Sequence, residues 1–452
     1  MINAHLPADY PDRTICVLGL GFVGLTLAAV MADVGFNIVG VEIRPEVRER
    51  LSSGQAHFHE PGLNDNIRRA IGSGRLRIYE TIPDDCPATV YVITVGTPLG
   101  ENGRVNLESV HRIARQIGER LKDDDLIILR STVKIGTTRN VVASIIEQAG
   151  KPFEIAFCPE RTIEGQALAE LRYLPQIIGA DDRDTANRAA QLFSFITPTV
   201  IRVSSLETAE MIKLIDNAKR DVMFAYANEV ARMCDEMGIS AAEVIRSGRF
   251  GYSRTDLPMP GPVGGPCLSK DPHILAESME QFGILPEITV AARATNERQP
   301  GDIAAFLKKH CQRADEFPRT PKIALLGIAF KGHPPTDDVR GTPAIAIFEA
   351  LKTAFPTGDF VAFDPVVQDD ALRELGMNPA GSLQGAFEGT SLALVLNSHS
   401  AFASMPVEAL AGRMSTPGVI YDCWNNFMDR PIRLPRGIEY IALGSHQRAI
   451  AG

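Results

Sequence analysis

Cys267 stands in the run Gly261-Pro262-Val263-Gly264-Gly265-Pro266-Cys267-Leu268-Ser269-Lys270-Asp271, where three glycines and two prolines frame one thiol. Glycine lets backbone pass close to a ligand and proline restricts its path. A helix-compatible run begins at Asp271, so the thiol precedes a helix N-terminus with Lys270 beside it, a setting that favours thiolate. A free cysteine is more often core filler, and a reactive one needs polar groups to act with. Lys213 and Asn217 are four residues apart, hence neighbours on one helix face. An ammonium and an amide converging beside a thiolate would stabilise an oxyanion. A solvated lysine beside a polar neighbour has the same spacing, and spacing alone leaves both readings open.

A second constellation opens the chain. Arg13-Thr14-Ile15-Cys16-Val17-Leu18 is the short apolar run of a buried parallel strand. It leads into Gly19-Leu20-Gly21-Phe22-Val23-Gly24, a G-x-G-x-x-G spacing, and then a helical stretch over 25–34. A second strand, Asn37-Ile38-Val39-Gly40-Val41, ends at Glu42, 18 residues beyond Gly24. Gly19 permits a tight turn, Gly21 lets backbone approach a pyrophosphate, and Gly24 lets helix and strand pack closely. Glu42 accepts from a ribose 2′-hydroxyl. The glycine spacing alone is common, but strand, glycines, helix, strand and acid in that order predict a dinucleotide site. The Glu42 carboxylate would repel a 2′-phosphate and so favours NAD over NADP. Arg44 is the one opposing sign, and otherwise a solvated cation.

The elements that must position these groups follow in chain order. Val90-Tyr91-Val92-Ile93-Thr94-Val95, Leu126-Ile127-Ile128-Leu129-Arg130-Ser131-Thr132-Val133 and Glu154-Ile155-Ala156-Phe157-Cys158-Pro159-Glu160 continue the β/α alternation. In open parallel sheets the carboxyl ends of strands face the ligand crevice, and Thr97, Thr132 and Glu160 fall just past such ends. His57 and His59 have no third ligand at a sensible spacing, so no metal site is expected. From residue 206 the pattern turns helical without glycine or proline until Gly238. That allows a helix of about 30 residues, roughly 45 Å long, suited to a spine or a dimer interface. Past a polar linker at 313–320, Pro321-Lys322-Ile323-Ala324-Leu325-Leu326-Gly327-Ile328-Ala329-Phe330-Lys331 starts a second α/β unit that lacks the full glycine fingerprint.

With 452 residues the chain can hold two or three domains. Hydrophobic content of 45% and charged content of 22% are those of an ordinary globular protein. A net charge of −9 argues against nucleic-acid binding, although local cations could still line an anion cleft. The longest apolar stretch, 23–41, is interrupted by Asp33 and Asn37, so no membrane span is expected. No signal-peptide pattern opens the chain, and seven scattered cysteines without a C-x-x-C pair suit a reducing cytoplasm.

The motifs add up to a resemblance. Gly19–Gly24, Glu60-Pro61-Gly62-Leu63, Thr97-Pro98, Ser131-Thr132-Val133, Pro159-Glu160-Arg161, Lys213-x-x-x-Asn217, Asn228-Glu229, Gly264-Gly265-Pro266-Cys267-x-x-Lys270-Asp271 and Gly327-x-Ala329-Phe330-Lys331 with Asp338-x-Arg340 occur in that order. The chain thereby resembles the UDP-glucose/GDP-mannose dehydrogenase family of nucleotide-sugar 6-dehydrogenases over nearly its whole length. The resemblance implies an α/β fold: two Rossmann-like, doubly wound parallel-sheet domains joined by a central long-helix dimerisation domain. The divisions expected are 1–203 for NAD, 204–312 for dimerisation and catalysis, and 313–452 for the UDP-sugar.

The resemblance also implies a homodimer or dimer-based oligomer, and a reaction that takes a sugar C6 alcohol to a carboxylate with two NAD and no free aldehyde. It assigns Cys267, Lys213, Asn217, Asp271, Glu160 and Thr132 to catalysis. Gly19, Gly21, Phe22, Val23, Gly24, Glu42, Thr97, Thr132, Lys270 and Arg340 are assigned to the cofactor. Glu160, Arg161, Glu164, Lys213, Asn217, Arg254, Gly264 and Lys331 are assigned to the substrate. Cys158-Pro159-Glu160-Arg161 and the 220–229 run resemble a UDP-N-acetylhexosamine branch, of the UDP-N-acetylmannosamine type. Glu164-Gly165 and Cys267-x-x-Lys270-Asp271 resemble the UDP-glucose branch. The first is the expected substrate and the second the alternative, with polysaccharide precursors as the destination. A nucleotide-sugar-binding protein without catalysis is the rival of another class.

Overall fold

The computed structural model describes residues 6–314, 316–428 and 431–446, so residue 315 of the expected linker lies outside it. The chain forms two compact units: 1–216 with 273–285, and 217–272 with 286–452.

The first unit is built on eight strands: β1 (Thr14–Leu18), β2 (Asn37–Val41), β3 (Leu76–Tyr79), β4 (Val90–Ile93), β5 (Asp125–Leu129), β6 (Phe153–Phe157), β7 (Gln176–Gly179) and β8 (Val200–Val203). Their order is β3-β2-β1-β4-β5-β6-β7-β8. All neighbours are parallel except β6 and β7, which meet antiparallel at Phe157 and Gly179. Every residue of β4 and β5 is buried, as continuous Val/Ile/Leu runs in a parallel sheet covered on both faces should be. Register decides what the carboxyl edge presents. Leu18 pairs with both Val41 and Ile93, Ile93 with Leu129, and Leu129 with Phe157. The residues that follow, Gly19, Glu42, Thr94, Arg130 and Cys158, are therefore delivered along one edge. Between β1 and β4 the strand order reverses, the switch point at which such sheets bind ligands.

A 32-residue helix, Leu206–Met237, ends where Gly238 turns left-handed at φ +69°. In its first turns Glu210 is buried and accepts from Gly136 N (2.5 Å), Thr138 N (2.9 Å) and Thr138 Oγ1 (2.5 Å). Burial pushes its carboxyl up from 4.5 to about 7; those hydrogen bonds oppose the rise and the Glu207 charge adds to it. The folded chain then holds this proton more tightly than the unfolded chain between pH 4.5 and 7, so the group's contribution to stability declines as pH rises through that window. The difference is on the order of 3 kcal/mol. Glu210→Gln is expected to flatten the decline. Urea midpoints of both proteins at pH 5 and 7.5 check it, and parallel pH dependences would contradict it.

The second unit carries β9 (Lys322–Leu326), β10 (Asp359–Phe363), β11 (Asn378–Pro379), β12 (Leu392–Val395), β13 (Gly418–Asp422) and β14 (Ile438–Ala442). Their order, β11-β10-β9-β12-β13-β14, is parallel throughout and again reverses beside its first strand. Helix Glu287–Cys311 runs through Pro300 in its interior. Both sheets and the long helix match the architecture expected from sequence. Among the described residues no helix is long and apolar enough to cross a membrane, and no cluster of His, Cys, Asp and Glu could hold a metal ion.

Candidate functional site

In the first unit the turn after β1 has the shape a pyrophosphate requires. Gly19 sits at φ +94°, where a side chain is strained. A Cβ on Gly24 would lie 1.9 Å from the Gly19 carbonyl oxygen, so that residue has no alternative. A Cβ on Gly21 would meet nothing within 4 Å, which leaves the backbone open to a ligand. Helix α1 (Phe22–Val34) begins here, with Phe22 and Val23 in its first turn offering amides and a positive dipole end. Phe22 stacks on Phe58 at 4.0 Å between ring centroids.

Glu42, just past β2, is buried and accepts from Arg44 N (3.1 Å), Nε (3.0 Å) and Nη2 (3.3 Å). Burial raises its carboxyl, but the Arg44 bonds and charge outweigh that and hold it below the usual range. Arg44 is thus a partner of the acid, with about half of its side chain still facing solvent. The open turn, the helix start and an ionised acid at the end of the neighbouring strand fit NAD.

The loops after β4 and β5 are stitched together. Thr97 Oγ1 donates to Thr132 O at 2.5 Å and Ser131 Oγ to Val95 O at 2.7 Å. After β6, Glu160 is buried and all its acceptor capacity is used. Arg130 Nε and Nη2 donate to its Oε2 (3.1 and 2.6 Å), while Arg161 N and Thr162 N donate to Oε1 (2.7 Å each). Burial raises the Glu160 carboxyl, yet the Arg130 charge, these bonds and Lys213 leave it lowered, hence ionised. Arg161 donates to Pro175 O at 2.7 Å and pairs with Asp216 at 3.5 Å. The Glu164 loop is propped by Glu60, which accepts from Gly165 N at 2.7 Å. Lys213 is buried on the long helix, one turn before Asn217.

In the second unit Cys267 lies, half-exposed, in a one-turn helix, Gly265–Leu268. Gly265 sits at φ +87°, its N–H donates to Gly341 O at 2.7 Å, and a Cβ there would meet the Phe330 ring at 2.3 Å. A Cβ on Gly264 would lie 2.4 Å from Gly341 O. The turn is clamped from both ends. Asn228 and Gly261 exchange bonds at 2.9 and 3.1 Å, and buried Arg293 donates to Leu268 O (2.8 Å) and Asp221 (2.7 Å). Four residues past the thiol, fully buried Asp271 accepts from Asn217 Nδ2 (2.5 Å) and Lys270 Nζ (2.7 Å).

Arg340 forks onto Asp338 at 2.7–3.1 Å. Lys331 lies over the Phe330 ring and Arg254 over Tyr252, at 5.5 and 5.3 Å from the centroids. The turn after β9 differs from its counterpart after β1. Asp364, following β10, accepts from Ile328 N (2.6 Å), Ala329 N (3.0 Å), Val366 N (2.8 Å) and Val367 N (3.0 Å). The amides that could receive a phosphate there already bind a carboxylate.

The first unit therefore brings Gly19, Gly21, Phe22, Val23, Gly24, Glu42, Thr97, Thr132 and Glu160 to its sheet edge, with Arg161 and Glu164 on the following loop and Lys213 on the helix. The second holds Asn217, Gly264, Cys267, Lys270 and Asp271 around the thiol turn, with Lys331 and Arg340 next in sequence to Phe330 and Gly341, which pack on Gly265, and with Arg254 over Tyr252. Sequence reasoning missed Arg130 and Arg293. Each is a buried arginine, and each finds its carboxylate far along the chain.

Family models cover the chain in three pieces: the NAD binding domain of the UDP-glucose/GDP-mannose dehydrogenase family at 13–197, its central domain at 207–298 and its UDP binding domain at 324–430. A UDP-N-acetyl-D-mannosamine dehydrogenase of Pyrococcus horikoshii is 32% identical over 92% of this chain and 97% of its own. An NDP-N-acetyl-D-galactosaminuronic acid dehydrogenase of Ralstonia nicotianae is 31% identical over 90% of this chain and 95% of its own. A solved UDP-D-ManNAc dehydrogenase from Pyrococcus horikoshii superposes with a TM-score of 0.85 at 30% identity, covering 96% of this chain and all of that one. The open glycine turn, the thiol turn and these matches lead to one conclusion: the chain belongs to the UDP-glucose/GDP-mannose dehydrogenase family and is an NAD-dependent nucleotide-sugar dehydrogenase.

Proposed function

We propose that the chain oxidises the C6 alcohol of a UDP-N-acetylhexosamine, of the UDP-N-acetylmannosamine kind, to the carboxylate, with the carbon held on Cys267 between two oxidations. The observation that carries this reading is the thiol turn: a half-exposed sulfur on a turn clamped by buried side chains, with the Asp271–Asn217 pair four residues on. The names of the two relatives support the N-acetylhexosamine. Glu164-Gly165 favours UDP-glucose as the second reading.

The glycine turn, Glu42, Thr97 and Thr132 would hold NAD, with Lys270 and Arg340 serving its charge, and the cofactor would supply the hydride acceptor for each oxidation. Loss of the alcohol proton and a C6 hydride leaves an aldehyde. The Cys267 thiolate adds to that carbon, the carbonyl electrons move to oxygen, and Lys213 and Asn217 stabilise the oxyanion. The second oxidation converts the thiohemiacetal to a thioester, so no aldehyde escapes. Water placed by Thr132 adds to the thioester, Asp271 and Lys213 handle its protons, and the C–S bond breaks to return the thiolate. Glu160 contributes its fixed charge, since its oxygens are already occupied. One alcohol, two NAD⁺ and one water become one carboxylate, two NADH and three protons. Arg161, Glu164, Arg254, Gly264 and Lys331 complete the sugar-nucleotide contacts.

The same proposal divides the chain at 1–203, 204–312 and 313–452 and makes it a cytoplasmic homodimer supplying polysaccharide precursors. Exposed Tyr226, Met233 and Met237 on the long helix support self-association. The absence of disulfides among its seven cysteines suits the cytoplasm. Incubating the protein with NAD and a panel of UDP-sugars, and counting NADH per sugar consumed, tests the reaction. Two per sugar, fastest with an N-acetylhexosamine, is expected. One per sugar would sink the covalent scheme, and none with any sugar would favour a binding protein.

A further inference from the structure

Glu277 is a nearly buried carboxylate, its side chain 8% exposed, and no step above uses it. It projects from helix Asp271–Glu280 and gathers two loops of the first unit. Its Oε2 accepts from Val105 N at 2.9 Å, on the arm that returns from Thr97 through the Leu99–Val105 bridge. Its Oε1 accepts from Lys134 Nζ at 3.0 Å, two residues past Thr132, and Arg104 Nη1 stands 3.7 Å away. The adjacent Ser278 Oγ accepts from Ile135 N at 3.2 Å while donating to Ile274 O at 2.7 Å. The near ends of the same loops are already tied by the Thr97–Thr132 bond. The two ties make the pair of loops a closed frame, with the cofactor threonines on one side and Glu277 on the other. A carboxylate this enclosed is costly unless its partners are fixed, so the geometry constrains the loops as much as the acid.

We propose that Glu277 is a positioning residue for the cofactor: it sets the separation of the β4 and β5 loops, and through them the places of Thr97 and Thr132. This rests on the NAD site assigned above and is independent of which sugar is oxidised.

The test reads NAD binding by titration calorimetry without sugar, beside UDP binding and thermal midpoint. Glu277→Ala is expected to weaken NAD about tenfold, the scale of one hydrogen bond to a charged group. UDP affinity should stay within about twofold. Glu277→Gln, whose amide oxygen still accepts from Val105 N, should fall between. Lys134→Met cuts only the β5 arm and should cost about threefold. Arg104→Ala, which removes an exposed pair, should change NAD affinity by less than about twofold. In turnover with a sugar, KM for NAD should rise more than kcat falls. NAD affinity within twofold of the parent in both Glu277→Ala and Lys134→Met overturns the proposal, as does equal weakening of NAD and UDP. If Glu277→Ala does not fold, unchanged NAD affinity in Lys134→Met overturns it alone. Normal NAD binding with no turnover of any UDP-sugar would defeat the proposed reaction and leave this role standing.

Discussion

Cys267→Ser is expected to lower steady-state NADH formation by about 10³-fold or more, the scale seen when a covalent nucleophile is removed. Serine keeps the size of the side chain but is a far weaker nucleophile at neutral pH, because an alcohol holds its proton where a thiol begins to lose it. The first oxidation needs no sulfur. The variant should therefore still bind NAD and UDP-sugar, and form NADH only up to the aldehyde equilibrium. Stability should change little, since the side chain is half-exposed and the turn is held by Asn228, Arg293 and the Gly265–Gly341 bond rather than by sulfur. Rapid-quench analysis of NADH and sugar products reads both levels. Full turnover to the carboxylate within tenfold of the parent would remove Cys267 from the mechanism.

Arg130→Met should be the most damaging change to the first unit that touches no ligand. The Arg130 side chain is 1% exposed and supplies two bonds to Glu160, one to Cys158 O (3.0 Å) and one to Gln176 (2.8 Å), and it lies over the Phe193 ring. Removing it strands a buried carboxylate, at a cost of about 3–5 kcal/mol. A fall in thermal midpoint on the order of 10 °C follows. Glu160 should also answer. With Arg130 gone, only the Arg161 and Thr162 amides and the Lys213 charge oppose the effect of burial on its carboxyl, and the activity that remains should climb with pH. Adding Glu160→Gln should restore much of the stability and none of the rate. If the single variant melts with the parent, the pair is not the keystone its geometry indicates.

The first strand, glycine turn, helix and acid were legible because each leaves a local mark: a buried run, a spacing, a period. So were the thiol turn and the long helix. The second turn was legible only as a fingerprint that is incomplete, and Asp364 supplies the physical reason. What sequence did not disclose was pairing. Arg130 meets Glu160 over 30 residues, Arg293 meets Asp221 over 72, and Lys134 meets Glu277 over 143. A charged residue with a distant partner looks, in sequence, like one facing solvent. Arg44 deceived at short range for the same reason, since nothing local says which way a guanidinium folds. Edge strands such as β3 and β8, short and partly exposed, lack the apolar run that betrays central strands.

Asp364 acts as a tethered competitor. A carboxylate fixed by the fold already accepts from the amides of Ile328 and Ala329, the groups that in the first unit are left open at the glycine turn. The open glycine turn of the first unit is therefore not repeated after β9. If the proposed four-electron oxidation uses only that open turn, spent cofactor is exchanged for fresh halfway through. Under that proposal the sugar waits during the exchange, and the bond to Cys267 sulfur keeps it from leaving.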